Sequence, residues 1–192
     1  MDRREALRRT AMLMGGVVSA PAVLGVLKGC TARPDINWTP EFLTRDQASL
    51  VTEVAEIIIP ATDTPGAKDV GVPAFIDSIL KDVYTEADQQ RFLDGLKAFN
   101  DRSKAEMGDD FLDLSAEEKQ RFVHEVHNAA IEADRSSSPP PRPFILMMKE
   151  LTMLGFFTSE VGATQVLQYE PVPGSYKGCV PLSEAGNGRT WA

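Results

Sequence analysis

The sequence predicts an all-α fold of about five helices followed by a long irregular C-terminal arm. Apolar residues recur at helical spacing in five separate stretches, and none sustains period-two alternation. Beyond Val161 the helical period stops, and glycine and proline accumulate. A length of 192 residues suits one domain, and a hydrophobic share of 43% is enough to build its core.

Residues 30–43 read as an extended lead-in, marked by Pro34, Trp38 and Pro40. Thr44 with Gln47 three places later has capping-box spacing. The helix it opens carries Leu50, Val51, Val54, Ile57 and Ile58 on one face, and Pro60 closes it. Turn formers fill Thr62 to Asp69. Pro73 suits the first turn of a second helix, faced by Phe75, Ile76, Ile79, Leu80 and Val83. Thr85 caps a third, in which Phe92, Leu93, Leu96 and Phe99 repeat. Gly108 to Asp113 reads as an acidic loop. Ser115 and Glu118 form a second capping box before Phe122, Val123, Val126 and Ile131. The Ser/Pro run 136–143 is a stiff extended linker. A fifth helix runs from Phe144 through Met147, Met148, Leu151 and Leu154 to Gly155, and residues 158–192 form the arm.

Charge divides the chain into three regions. Residues 1–29 hold five basic and two acidic groups, a net +3. Residues 30–139 hold 11 basic and 22 acidic groups, a net −11, and residues 140–192 balance. The overall charge of −8 argues against nucleic-acid binding, which needs a basic face. Arg3 and Arg4, in a charged stretch ahead of the weakly apolar run from Thr10 to Leu27, fit a twin-arginine export signal. Ala6 stands where that pattern often has Phe. The expected organisation is a signal over 1–29, the lead-in over 30–43 and a single domain over 44–192, in a periplasmic protein. Two signal endings are readable. Ala20-Pro21-Ala22 is a small-x-small cleavage site. Leu27-Lys28-Gly29-Cys30 resembles a lipobox, with Lys28 departing from the usual small residue. On that second reading Cys30 is lipidated and tethers the protein to a membrane.

Signatures of catalysis are missing from the sequence. It contains no Gly-x-Gly-x-x-Gly, no phosphate loop, no Cys-x-x-Cys and no Gly-x-Ser-x-Gly. His124 and His127 lie three apart on one helix, a spacing that lets both face one metal. Their pattern is not the five-residue zinc-protease motif and names no third ligand, which favours a solvated or packed pair. Asp109, Asp110 and Asp113 lack the glycine and closing glutamate of a calcium loop. Met147, Met148, Met153 and the run Leu154-Gly155-Phe156-Phe157 are compatible with the lining of a cofactor pocket, but better suit a helical core or a helix packed on a partner. Cys179 is the one cysteine beyond the signal region, between Gly178 and Pro181. An intermolecular disulfide, a free thiol and a packed inert thiol are all open to it. The neutral tail holds Phe144, Phe156, Phe157, Tyr169, Tyr176 and Trp191, the composition of an interface core. No catalytic, cofactor or metal residue is therefore expected in this chain.

Three further stretches carry a resemblance: residues 151–165 (from Leu151-Thr152-Met153-Leu154-Gly155-Phe156-Phe157 to Gln165), Tyr169 to Gly174, and Tyr176 to Leu182. Upstream, Ile58-Ile59-Pro60, Thr62-Asp63-Thr64-Pro65-Gly66-Ala67 and Val72-Pro73 continue it. From about Thr44 to the C-terminus the chain resembles the gluconate 2-dehydrogenase subunit 3 family. The resemblance implies a small, non-catalytic subunit whose large partner is an FAD-dependent flavoprotein of the glucose–methanol–choline oxidoreductase group. That partner oxidises a sugar or sugar acid, and a multihaem cytochrome c subunit with haem c often takes the electrons. It also implies that the small subunit carries the export signal for both, so that the twin-arginine translocase moves the folded pair. Phe156, Phe157, Glu160, Tyr169, Pro171 and Tyr176 then fall at the partner interface, and Cys179 is placed for an intersubunit disulfide. Two other readings stand beside it. One is a stand-alone periplasmic enzyme using a metal at His124 and His127 or the Cys179 thiol. The other is a lipid-tethered scaffold.

Overall fold

A computed structural model describes residues 36–135, 142–172, 174–175, 178–184 and 188–191. Arg3, Arg4, Cys30, Tyr176 and most of the 136–143 linker lie outside the described residues. The fold is all-α, as expected. Its helices are α1 (Arg45–Ile58), α2 (Val72–Asp82), α3 (Glu86–Met107), α4 (Ala116–Asp134) and α5 (Phe144–Phe157). A 3₁₀ turn (Phe111–Asp113) precedes α4, and a π turn (Gly162–Val166) follows α5. No β-strand is present among the described residues; Gln168 and Trp191 form an isolated bridge.

Local chemistry starts each helix. Thr44 Oγ accepts from the Gln47 N–H while the Gln47 side chain accepts from the Thr44 N–H at 2.9 Å. Ser115 and Glu118 make the same reciprocal pair. Such boxes satisfy two donors that a helix start otherwise leaves orphaned. α2 starts differently. Gly71, with a φ of 80°, supplies the left-handed turn and Pro73 lies in the first turn.

Packing centres on α5, which touches each of the other four helices. Phe144 to Met148, Leu151, Thr152, Gly155 and Phe156 are all buried, on more than one face of the helix. A helix apolar most of the way round belongs inside a bundle. Its first residue, Phe144, meets Phe92 at 5.2 Å and Phe99 at 5.5 Å between ring centroids. Phe99 in turn meets Phe111 and Phe122 at 5.0 Å, so one aromatic cluster joins α3, the 3₁₀ turn, α4 and α5.

The stretch read as an acidic loop is half core. Phe111 and Leu112 are buried. Asn100 on α3 accepts from the Phe111 N–H at 3.0 Å and donates to Asp110 at 2.6 Å. The lead-in is tied down as well. Ile36 and Leu43 are buried, and Asp77 of α2 accepts from the backbone N–H groups of Glu41 (2.7 Å), Phe42 (3.3 Å) and Leu43 (2.8 Å).

Candidate functional site

Two surfaces gather the residues that carry functional expectation. The first begins on α5. Helical spacing puts Glu150, Met153, Leu154 and Phe157 on one stripe, since i, i+3, i+4 and i+7 share a face. That stripe points outward: Met153 is 42% exposed, Leu154 50%, and Phe157 is half-buried. Phe156, about a quarter turn round the helix from Phe157, is buried at 2% exposure, with its ring edge-on to Phe157 at 5.4 Å. Phe156 therefore belongs to the chain's own core and presents no surface, which corrects its place in the expected interface. Met153 and Leu154 are the exposed apolar residues of this helix, and exposed Glu150 one turn earlier is the signal in the sequence that marks their face.

The stripe runs into the arm. Ser159 Oγ donates to the Phe156 carbonyl and accepts from the Gly162 N–H, turning the chain into the π turn. A Cβ at Gly162 would overlap the Phe156 carbonyl, so only glycine fits that close approach. Glu160 is exposed. From Tyr169 to Trp191 every described residue is exposed, Pro171 and Cys179 among them. Cys179 forms no disulfide among the described residues. Tyr169 (56%), Val172, Val180, Leu182 and Trp191 (47%) present apolar surface to water. Among the described residues the arm folds back on itself through the Gln168 N–H, which donates to the Thr190 carbonyl at 2.7 Å. Exposed apolar side chains of this kind are candidates for an interaction surface where they form a contiguous patch.

The second surface is a pocket of about 170 Å³ between α1, α4 and α5. Ile57 and Ile58 line it from α1, Val123, His124 and His127 from α4, and Ile145 and Lys149 from α5. The two histidines thus share one pocket, and Cys179 does not line it. Lys149 Nζ lies 3.2 Å from His127 Nε2. An ammonium only donates, so Nε2 accepts and the imidazole proton sits on Nδ1. Loss of water around the ring, then the Lys149 charge, hold the His127 pKa below its ordinary value. Lys149 was not singled out by sequence reasoning, because nothing local distinguishes a lysine that turns into a pocket from one in solvent. No group of three or more His, Cys, Asp or Glu that could hold a metal occurs among the described residues.

The remaining motif residues serve packing. Glu56 accepts from the Ala61 N–H (3.0 Å) and the Lys68 N–H (2.9 Å), closing the turn that contains Thr62 to Ala67. Gly66 lies against that carboxylate, and Gly155 lies against the Phe75 ring, with no room for a Cβ at either. Compared with known proteins, residues 45–174 match the family model described as Gluconate 2-dehydrogenase subunit 3. The match includes the outward stripe and the start of the arm and stops before Tyr176 and Cys179. No curated protein and no solved structure matches the chain.

Proposed function

The chain belongs to the gluconate 2-dehydrogenase subunit 3 family, and from that premise we propose that it is the non-catalytic small subunit of a periplasmic FAD-dependent dehydrogenase. The family is one of dehydrogenase subunits, which associate with a large subunit. On this reading the large subunit is a glucose–methanol–choline type flavoprotein that holds FAD and oxidises a sugar or sugar acid. A multihaem cytochrome c receives the electrons. The small subunit carries the twin-arginine signal, leads the folded flavoprotein across the membrane and stabilises it afterwards. Lipidation at Cys30 would leave the pair tethered.

The observation that carries the reading is the uncovered apolar surface of the α5 stripe and arm: Met153, Leu154, Tyr169, Val172, Leu182 and Trp191. Interface cores are depleted in charge and enriched in aromatic residues and methionine. Purification of the protein under native conditions tests it. A large yellow flavoprotein should accompany the chain, carry all the sugar-oxidising activity, and separate only on denaturation. Recovery of the chain alone, with dehydrogenase activity intact in a fraction that lacks it, would overturn the proposal.

A further inference from the structure

Lys149 is partly withdrawn from water, yet no carboxylate pairs with it among the described residues. Its side chain's one hydrogen bond among the described residues is to His127, which carries no compensating negative charge. The ammonium stands beside apolar walls with no carboxylate on it, so an anion entering the pocket would find it available to pair. We propose that the pocket between α1, α4 and α5 binds a small monocarboxylate with an apolar body, its carboxylate on the Lys149 ammonium and its hydrocarbon part against Ile57, Val123 and Ile145.

The donor arithmetic fits. The ammonium has three N–H donors, one of which is spent on His127 Nε2, leaving two for carboxylate oxygens. The walls fit a hydrocarbon body, being isoleucine and valine apart from Lys149 and the two imidazoles. About 170 Å³ is well short of the roughly 300–1,000 Å³ of a pocket for a drug-sized molecule, which suits a short acid such as isovalerate. Multiply charged anions suit the site poorly, because a single ammonium and apolar walls do not replace their hydration. A cation is disfavoured by the ammonium itself, which also occupies the lone pair that His127 Nε2 would offer.

The full chain, with its histidines isotopically labelled, can be titrated with isovalerate while the imidazole resonances are followed by NMR. The His127 signals should shift saturably. Isovaleramide, the neutral isostere, should bind about tenfold more weakly or not at all, because it forfeits a charge-assisted hydrogen bond. Lys149→Met should weaken isovalerate by at least about tenfold with the helical spectrum unchanged. Absence of a saturable shift, equal binding of acid and amide, or a folded Lys149→Met variant that binds like the parent would each overturn the site. If Lys149→Met fails to fold, the comparison of acid with amide on the unaltered chain still decides. None of these outcomes bears on whether a flavoprotein docks on the arm.

Discussion

Asp77 and Thr152 are both polar, both on helices and both almost wholly buried, and they have opposite energetic consequences. Asp77 receives three backbone N–H groups of the lead-in, so its removal leaves those donors unsatisfied. Asp77→Ala should cost about 3 kcal/mol, since each lost bond to a charged acceptor is worth roughly 1.5–3 kcal/mol and the effects overlap. Urea unfolding reads this directly, and a midpoint within error of the parent would refute it. The Thr152 hydroxyl finds no partner. Thr152→Val keeps the shape, discards an orphaned group and should be neutral or stabilising by up to about 1 kcal/mol. A clear loss of stability there would mean that the hydroxyl is bonded after all. His127 adds a pH dependence. Its folded pKa lies below the ordinary 6.5, through desolvation first and Lys149 second. The unfolded chain then binds more protons as pH falls, so the stability linked to neutral His127 is present above 6.5 and lost as pH drops through the folded value. Between about pH 7.5 and about pH 5.5 the Tm of the parent should fall more than that of His127→Gln. Parallel curves would exclude this assignment.

Elements were legible in the sequence where a local rule governs them. Both capping boxes, the Thr85 cap and the five apolar periods predict helices that the fold contains, because caps and periodicity act within a few residues. What escaped depends on distant partners. Phe111 and Leu112 sit in a stretch of aspartates, and only the aromatic cluster and Asn100 draw them inward. Asp77 resembles any solvated helix carboxylate until the lead-in arrives from 34–36 positions earlier. The pocket is harder still, as Lys149 and His127 meet only because α4 and α5 pack side by side. Phe156 and Phe157 were indistinguishable by composition, and the phase of α5 alone separates core from surface. The arm is the element whose stability should depend on company. Its described side chains from Tyr169 onward are all exposed, so little holds it against opening. In the isolated subunit, amides of the described residues between Tyr169 and Trp191 should exchange fast while α1 to α5 stay protected. Adding the large subunit should slow exchange in the arm. Protection of the arm equal to that of the helices, without any partner, would reject a docking role.

At the scale of the whole molecule, the three charge regions call for separate work. A net −11 over 30–139 keeps the helical body well solvated, while the balanced stretch 140–192 carries the uncovered apolar groups. The basic 1–29 region is the one part with no role in that division unless it addresses the protein elsewhere. On the proposed function a twin-arginine signal would join the two facts, because that route moves proteins already folded, and the α5 stripe and the arm would offer a docking surface only after folding. Export of this chain and of its flavoprotein should therefore depend together on Arg3 and Arg4. Replacing both by lysine preserves the charge of +3 and removes only the guanidinium groups, so a defect would report recognition and not electrostatic attraction. Cell fractionation should then find this protein, the FAD-bearing subunit and the sugar-oxidising activity all in the cytoplasm. Should the variant chain stay inside while the flavoprotein still reaches the periplasm, the two travel separately and the small subunit is no carrier. Should both still be exported, the basic head is not a twin-arginine signal.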